Sequence, residues 1–225
     1  MIMITPKNLT ELIGTAILVF TIQVSGSSDL APLAIGGILI SIIFAGGPVS
    51  GAHYNPAVSL AVALRGGMPF QEMIAYMISQ ILGGVLGGLS GGVVGASFSV
   101  VGMGEDASYL QALLAEVIFT FVLCFVVLCV ATNPKVEDNH YYGLAIGLVV
   151  MAGAITVGPI SGGAFNPAVA LGLSISDGFS NLTYGIMVAA SNLLGGVVAA
   201  GCFRIIVPTN EEVGTIGENT ALNLA

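Results

Sequence analysis

Tryptophan is absent from this 225-residue chain and charge is scarce, since four Lys or Arg and twelve Asp or Glu bring charged residues to only 7%. Four basic side chains cannot track a run of phosphates, which excludes nucleic-acid binding. Cysteine is rare too: Cys124, Cys129 and Cys202 all sit in apolar runs, read as small buried hydrophobes and imply no disulfide framework. The two histidines, His53 and His140, offer no metal-ligand spacing, and nothing pairs a nucleophile with a base. No enzyme, metal or cofactor is therefore expected. What is present is apolar: 56% of residues are hydrophobic and the mean hydropathy is +1.01. These are the statistics of a polytopic membrane protein, because a soluble domain needs far more polar surface. The net charge of −8 invites a cation-binding reading, yet the acids fall mostly at turns and in the last segment, where solvated loops account for them.

Apolar runs lie near residues 9 to 25, 31 to 48, 70 to 97, 108 to 132, 142 to 159 and 182 to 207. All are long enough to span a bilayer. The first contains Glu11 and lacks a basic leading region, and a bundle follows it, so it reads as a span rather than a cleaved signal. Gly83, Gly87, Gly91 and Gly95 recur every fourth residue, which predicts close helix packing along one face.

Asn-Pro-Ala occurs twice, at Asn55-Pro56-Ala57 and Asn166-Pro167-Ala168, each time after a Gly-rich loop. Each copy predicts a helix start, with Asn as N-cap and Pro at the first helical position. From Asn55 the apolar stretch reaches only about Leu64; a helix of roughly ten residues rises ~15 Å, half of a hydrocarbon core of ~30 Å. That describes a half-helix entering the membrane. Superposing the two Asn residues aligns Ser50-Gly51-Ala52 with Ser161-Gly162-Gly163, and nearly the same offset brings Leu82-Gly83-Gly84-Val85 onto Leu194-Gly195-Gly196-Val197. Glu11 falls near Glu116. Each half is thus three spans plus a half-helix, and an odd number of spans inverts the second half, so the half-helices meet near the midplane.

With a cytoplasmic N-terminus, Lys7, Arg65, Lys135 and Arg204 all lie on the cytoplasmic side, and Asp29, Glu105, Asp106 and Asp177 on the other. This satisfies the positive-inside rule and places both termini in the cytoplasm. The polar, acidic stretch 208–225 is expected to be a disordered tail.

The segments Ser50-Gly51-Ala52-His53-Tyr54-Asn55-Pro56-Ala57-Val58 and Ser161-Gly162-Gly163-Ala164-Phe165-Asn166-Pro167-Ala168, with Glu11 and Glu116, resemble the aquaporin or major intrinsic protein family over about residues 8 to 207. The resemblance implies an all-α membrane protein, a bundle of six transmembrane helices with two re-entrant half-helices. It further implies a single channel domain at 1–207, with repeats at about 8–98 and 108–207, and a homotetramer in lipid. The function implied is passage of water and small neutral solutes such as ammonia, urea, hydrogen peroxide or glycerol.

Facing half-helix N-termini direct positive dipole ends at the midplane and disfavour cations there. Each Asn has an oxygen for its own helix and an amide N–H2 for a passing oxygen. By resemblance, the carbonyls of Gly51, Ala52, His53, Gly162, Gly163 and Ala164 line one wall of the pore. Glu11 and Glu116, as intramembrane acids, are proton relays or, as the resemblance favours, acceptors that brace the re-entrant loops. His53 is either a structural hydrogen-bonding group or a solute contact. His140, in the loop beside Glu137 and Asp138, is either an ordinary solvated residue or a pH-sensitive gate.

Water-selective members of the family carry Arg three residues after the second motif Asn, where this chain has Val169. By the same resemblance, Ile35, Ala154 and Gly163 complete the constriction. A set with no Arg, His or aromatic ring predicts a wider, more apolar filter that passes larger solutes or gates by dewetting. Ala170 and Ser174 stand near places where dedicated glycerol channels have Asp, which argues against that specialisation. The competing readings are a poorly conducting or gated structural member of the family and a secondary transporter.

Overall fold

A computed structural model describes residues 5–26, 28–95 and 101–207; the expected tail at 208–225 lies outside them. The element order is α1 (Pro6–Ser25), α2 (Ala31–Ser50), α3 (Pro56–Leu64), α4 (Phe70–Val93), α5 (Tyr109–Ala131), a 3-10 turn at Pro134–Val136, α6 (Tyr142–Thr156), α7 (Gly158–Ser161), α8 (Pro167–Ser176) and α9 (Leu182–Ile206). No strand occurs among the described residues. Helix starts follow local chemistry: Thr5 accepts the Asn8 N–H at 3.2 Å ahead of Pro6, and Ser108 and Gln111 form a reciprocal capping box.

Five of these helices are long and apolar enough to cross a membrane. Leu, Ile and Val crowd their outer faces, where Ile13, Ile17, Leu82, Leu86, Leu114, Ile118, Ile186 and Leu194 are exposed. Among the described residues, the buried acids Glu11 and Glu116 are each met by neutral hydrogen-bond donors rather than by counter-ions. The expected span 142–159 is the exception. It breaks after the 15 residues of α6 and resumes as the single turn of α7. Pro159 has no N–H to continue the ladder, and the chain steps across Val157 at φ −121°. The matching Gly47-Pro48 in the first half is absorbed within α2, which runs unbroken to Ser50. Both versions end on a glycine in left-handed conformation, Gly51 at φ +85° and Gly162 at φ +89°.

Inside the bundle, α1 packs on α2 and α4, and α5 packs on α6 and α9. The half-helices cross over: α3 lies against α9 as well as its own α4, and α8 against α4 as well as α9. Glycines permit these approaches. A Cβ on Gly83 would lie 2.3 Å from the Leu12 carbonyl oxygen, and one on Gly87 2.4 Å from that of Ala16, so this part of the predicted stripe packs α4 on α1. Gly95 does not belong to it. The run expected to reach residue 97 is helical only to Val93, and Gly95 stands beyond the end at φ +88° with open space around it.

Candidate functional site

The two re-entrant loops are backbone turns that no helix supports, and three of their non-glycine residues, Ala52, Tyr54 and Phe165, have positive φ. Each such residue costs about 1–3 kcal/mol and persists only where surrounding groups over-determine it. A buried glutamate does so in each half. Glu11, with no exposed surface, accepts the Ser50 hydroxyl (2.7 Å) and His53 N–H (3.0 Å) on Oε1, and the Tyr54 N–H (2.6 Å) and Gln80 amide (2.8 Å) on Oε2. Glu116 repeats the pattern with Ser161 (2.8 Å), Ala164 N–H (2.9 Å), Phe165 N–H (2.8 Å) and Asn192 (2.7 Å). Four donors fill the acceptor positions of an ionised carboxylate. Neither glutamate lines the cavity described below.

Tyrosines add a further tie from the third span of each half. Tyr76 donates to the Ser50 carbonyl at 2.7 Å, and Tyr184 to the Ser161 carbonyl at 2.9 Å. Gln80 also donates to Ser59 (2.9 Å) and Asn192 to Thr120 (2.9 Å), which leaves both buried amide oxygens, Gln80 Oε1 and Asn192 Oδ1, without a hydrogen-bond partner. Both amides spend their N–H2 on the carboxylate and a hydroxyl, and that orientation turns the oxygen away.

Beyond the loops, Asn55 and Asn166 cap α3 and α8, accepting the Ala57 and Ala168 N–H groups at 2.9 Å each. Their amides then cross the midline: Asn55 Nδ2 donates to the Phe165 carbonyl at 2.8 Å, and Asn166 Nδ2 to the Tyr54 carbonyl at 2.8 Å. One N–H of each amide is thereby committed to the opposite loop, so each Asn offers one donor rather than two to a passing molecule. Pro56, Ala57, Pro167 and Ala168 are buried behind them in the helix starts.

A cavity of about 730 Å³ runs past both Asn residues, from Ser28 and Asp29 at one end to Glu137, Asn139 and Tyr142 at the other. All six expected carbonyl-lining residues, Gly51, Ala52, His53, Gly162, Gly163 and Ala164, border it, as do Ile35, Ala154, Gly163 and Val169. Leu18, Ile22, Leu39, Ile43, Leu123, Val127 and Val150 supply apolar wall. Val169 is only 2% exposed. His53 borders the cavity and lies 3.0 Å from the Ser59 hydroxyl through Nδ1, so it has both a structural partner and lumenal access. His140 is exposed and is not part of the lining. Arg65 reaches the Thr132 carbonyl and stacks over Phe203 at 5.6 Å, anchoring the start of the connection between α5 and α6.

Sequence reasoning assigned no role to Gln80 and Asn192. The signal was available: both precede the aligned Leu-Gly-Gly-Val blocks by two residues.

The family model described as major intrinsic protein matches residues 7–175 and, in a second match, residues 137–224. Aquaporin NIP1-1 of Zea mays is 31% identical over 227 residues, covering 96% of this chain and 79% of that protein. Aquaporin NIP2-1 of Oryza sativa subsp. japonica is 34% identical over 181 residues, covering 76% and 60% respectively. Among solved structures, the aquaglyceroporin from Plasmodium falciparum superposes with a TM-score of 0.78 at 23% identity, covering 90% of this chain and 97% of that one, which carries the likeness of fold. Each motif Asn caps a half-length helix and donates to the loop ahead of the other, the named relatives are aquaporins, and the chain belongs to the major intrinsic protein family.

Proposed function

We propose that this multi-pass membrane channel conducts water and small neutral solutes, among them ammonia, urea, hydrogen peroxide and glycerol, passively down their gradients, and excludes ions at the paired Asn residues. The observation that carries the reading is the cavity bordered by both motif Asn side chains, with the re-entrant loops on one side and aliphatic residues on the other. Carbonyls and the remaining amide N–H groups exchange hydrogen bonds with a solute, and the apolar wall keeps that solute mobile. The dipoles of α3 and α8 add a positive end at the centre, where a cation has lost its hydration. Val169 replaces charge with an isopropyl group at the constriction formed with Ile35, Ala154 and Gly163, so size and polarity rather than a fixed cation select the solute.

Glu11 and Glu116 act in this reading as braces for the loops. Their acceptor positions are occupied by four donors each, which removes support from a proton relay and from ion coupling in a secondary transporter. Both termini face the cytoplasm, in keeping with the distribution of Lys and Arg, residues 1–207 form one channel domain, and the working unit is a homotetramer.

Stopped-flow light scattering on proteoliposomes tests the reading. An impermeant sugar gradient should shrink the vesicles faster than empty liposomes, and urea or glycerol gradients should then reswell them, with proton flux far below water flux. Proton flux comparable to water flux would sink ion exclusion, and rates no faster than empty liposomes would favour a closed structural member of the family.

A further inference from the structure

Helices α2 and α6 border the lumen together, each at every fourth residue: Ile35, Leu39, Ile43 and Gly47 on α2, and Ala154, Val150, Ile146 and Tyr142 on α6. Residues four apart share a helix face, so each set is one stripe. The two helices run antiparallel, since a Cβ on Gly36 would lie 2.9 Å from Met151 Cβ and one on Gly143 3.0 Å from Phe44 Cε2. Ile35 and Ala154, at the constriction, thus mark one end of the paired stripes, and Gly47 and Tyr142 mark the other, beside Glu137 and Asn139. Tyr142 carries the one hydrogen-bonding side chain in either stripe. Other tyrosines inside the bundle spend their hydroxyls on backbone: Tyr54, Tyr76 and Tyr184 donate to the carbonyls of Ile42, Ser50 and Ser161. The Tyr142 hydroxyl makes no hydrogen bond among the described residues, and it is not one of the buried atoms that lack a partner, so it is accessible where its residue borders the lumen. Phe44 meets the ring edge-on at 5.1 Å, and Gly47 leaves it room, because a Cβ there would lie 3.1 Å from the Tyr142 hydroxyl oxygen.

From this we infer that Tyr142 is a specificity-determining residue at the mouth beside Glu137 and Asn139, where its hydroxyl exchanges hydrogen bonds with the solute and the missing side chain at Gly47 sets where that hydroxyl stands. The inference rests on the channel reading above. At the far constriction Ile35, Ala154, Gly163 and Val169 offer no side-chain donor, and along the stripes a solute touches aliphatic surface alone. A phenol supplies donor and acceptor on one atom. A solute that has left the loop carbonyls therefore regains a partner before it reaches bulk water. Selection is split between an apolar station at one end of the lumen and a polar one at the other.

The test compares water-driven shrinkage with urea-driven and glycerol-driven reswelling in proteoliposomes of the parent, Tyr142→Phe, Gly47→Ala and the double variant. Tyr141→Phe serves as a control, because Tyr141 is exposed and does not border the cavity. Tyr142→Phe keeps the ring and its contact with Phe44, so the fold should survive. Water retains the loop carbonyls of Gly51, Ala52 and His53 as partners, whereas urea and glycerol span the lumen and touch both walls. The solute-to-water ratios should therefore fall roughly fivefold in Tyr142→Phe, the weight of one ordinary hydrogen bond. Gly47→Ala, which suits a helix better than Gly, should lower the same ratios by displacing the hydroxyl. With the hydroxyl gone, the nearest ring carbon lies 3.7 Å from that Cβ, an ordinary contact, so the double variant should match Tyr142→Phe alone. Tyr141→Phe should match the parent. A conducting parent whose ratios Tyr142→Phe leaves in place, or moves no more than Tyr141→Phe does, overturns the inference alone, as do losses in the double variant that multiply those of the single ones. A parent no faster than empty liposomes overturns the channel reading and this inference with it.

Discussion

Gly84 of α4 lies against Ala168 of the opposite repeat so closely that a Cβ on Gly84 would sit 2.3 Å from the Ala168 carbonyl oxygen, and Gly196 of α9 meets Ala57 in the same way at 2.7 Å. Each motif alanine is thus seated on a glycine supplied by the other half. Gly84→Ala and Gly196→Ala should each destabilise the protein by about 1–3 kcal/mol, the usual cost of overpacking, because backbone rather than a flexible side chain must yield. Thermal unfolding in detergent, followed by size-exclusion monodispersity, should show lower midpoints for both variants. Gly201→Ala, where a Cβ meets nothing within 4 Å, should match the parent.

Glu11→Gln and Glu116→Gln should damage the loops rather than the chemistry of passage. An amide in place of a carboxylate brings donors to a site where four donors already converge, and each buried N–H left unpaired costs about 1–3 kcal/mol. Both variants should unfold at lower temperature. In whatever fraction remains folded, the pH dependence of water flux should be that of the parent; a new pH dependence would revive the relay reading.

At the midline, charge is the variable. Asn166→Asp keeps an oxygen to cap α8 but replaces the donor to the Tyr54 carbonyl with a negative group. Proton or sodium flux in vesicles should rise about tenfold, as a barrier lowered by about 1.4 kcal/mol implies. Asn166→Ala, which loses the cap at a cost of about 1 kcal/mol, should lower stability without that gain in cation flux.

Val169→Arg places a long cation where Val101, which borders the same cavity, and its cluster already fill the space. Alone it should narrow the constriction and reduce urea and glycerol reswelling, with incomplete sparing of water. Val169→Arg combined with Val101→Ala should restore water flux while solute flux stays low. Reswelling of both single and double variants equal to that of the parent would remove residue 169 from the constriction.

His140 is exposed and is not part of the cavity lining. His140→Ala should therefore leave the pH profile of water flux unchanged. A shifted pH profile in that variant would return the connection between α5 and α6 to consideration as a gate.

What the sequence disclosed follows the locality of each signal. Asn55-Pro56 and Asn166-Pro167 are helix starts by chemistry within three residues, and both half-helices begin there. Gln80 and Asn192 required the repeat offset to be carried two residues ahead of the aligned Leu-Gly-Gly-Val blocks. The Gly-Pro pairs show where local reading ends: the same dipeptide lies inside the continuous α2 at Gly47-Pro48 and at the break between α6 and α7 at Gly158-Pro159. The dipeptide alone does not decide between the two outcomes. Val101 carried no signal of its own, because a single valine in a Gly-rich and Ser-rich connection has neither period nor motif, and its place depends on Asn181 and Gly162, 80 and 61 residues away.

The exchange of seats between the halves also has a meaning for synthesis. As the chain emerges, α3 is complete long before α9, yet Gly196 and the face that receives Ala57 belong to α9. The Asn55 amide likewise lacks its partner, the Phe165 carbonyl, until the second re-entrant loop has been made. The first half-helix must wait, capped but unseated, while α4 to α8 are made. Seating of the first half-helix is therefore completed only once α9 is in place, and a chain stopped before residue 182 should leave Ala57 without the glycine it packs on.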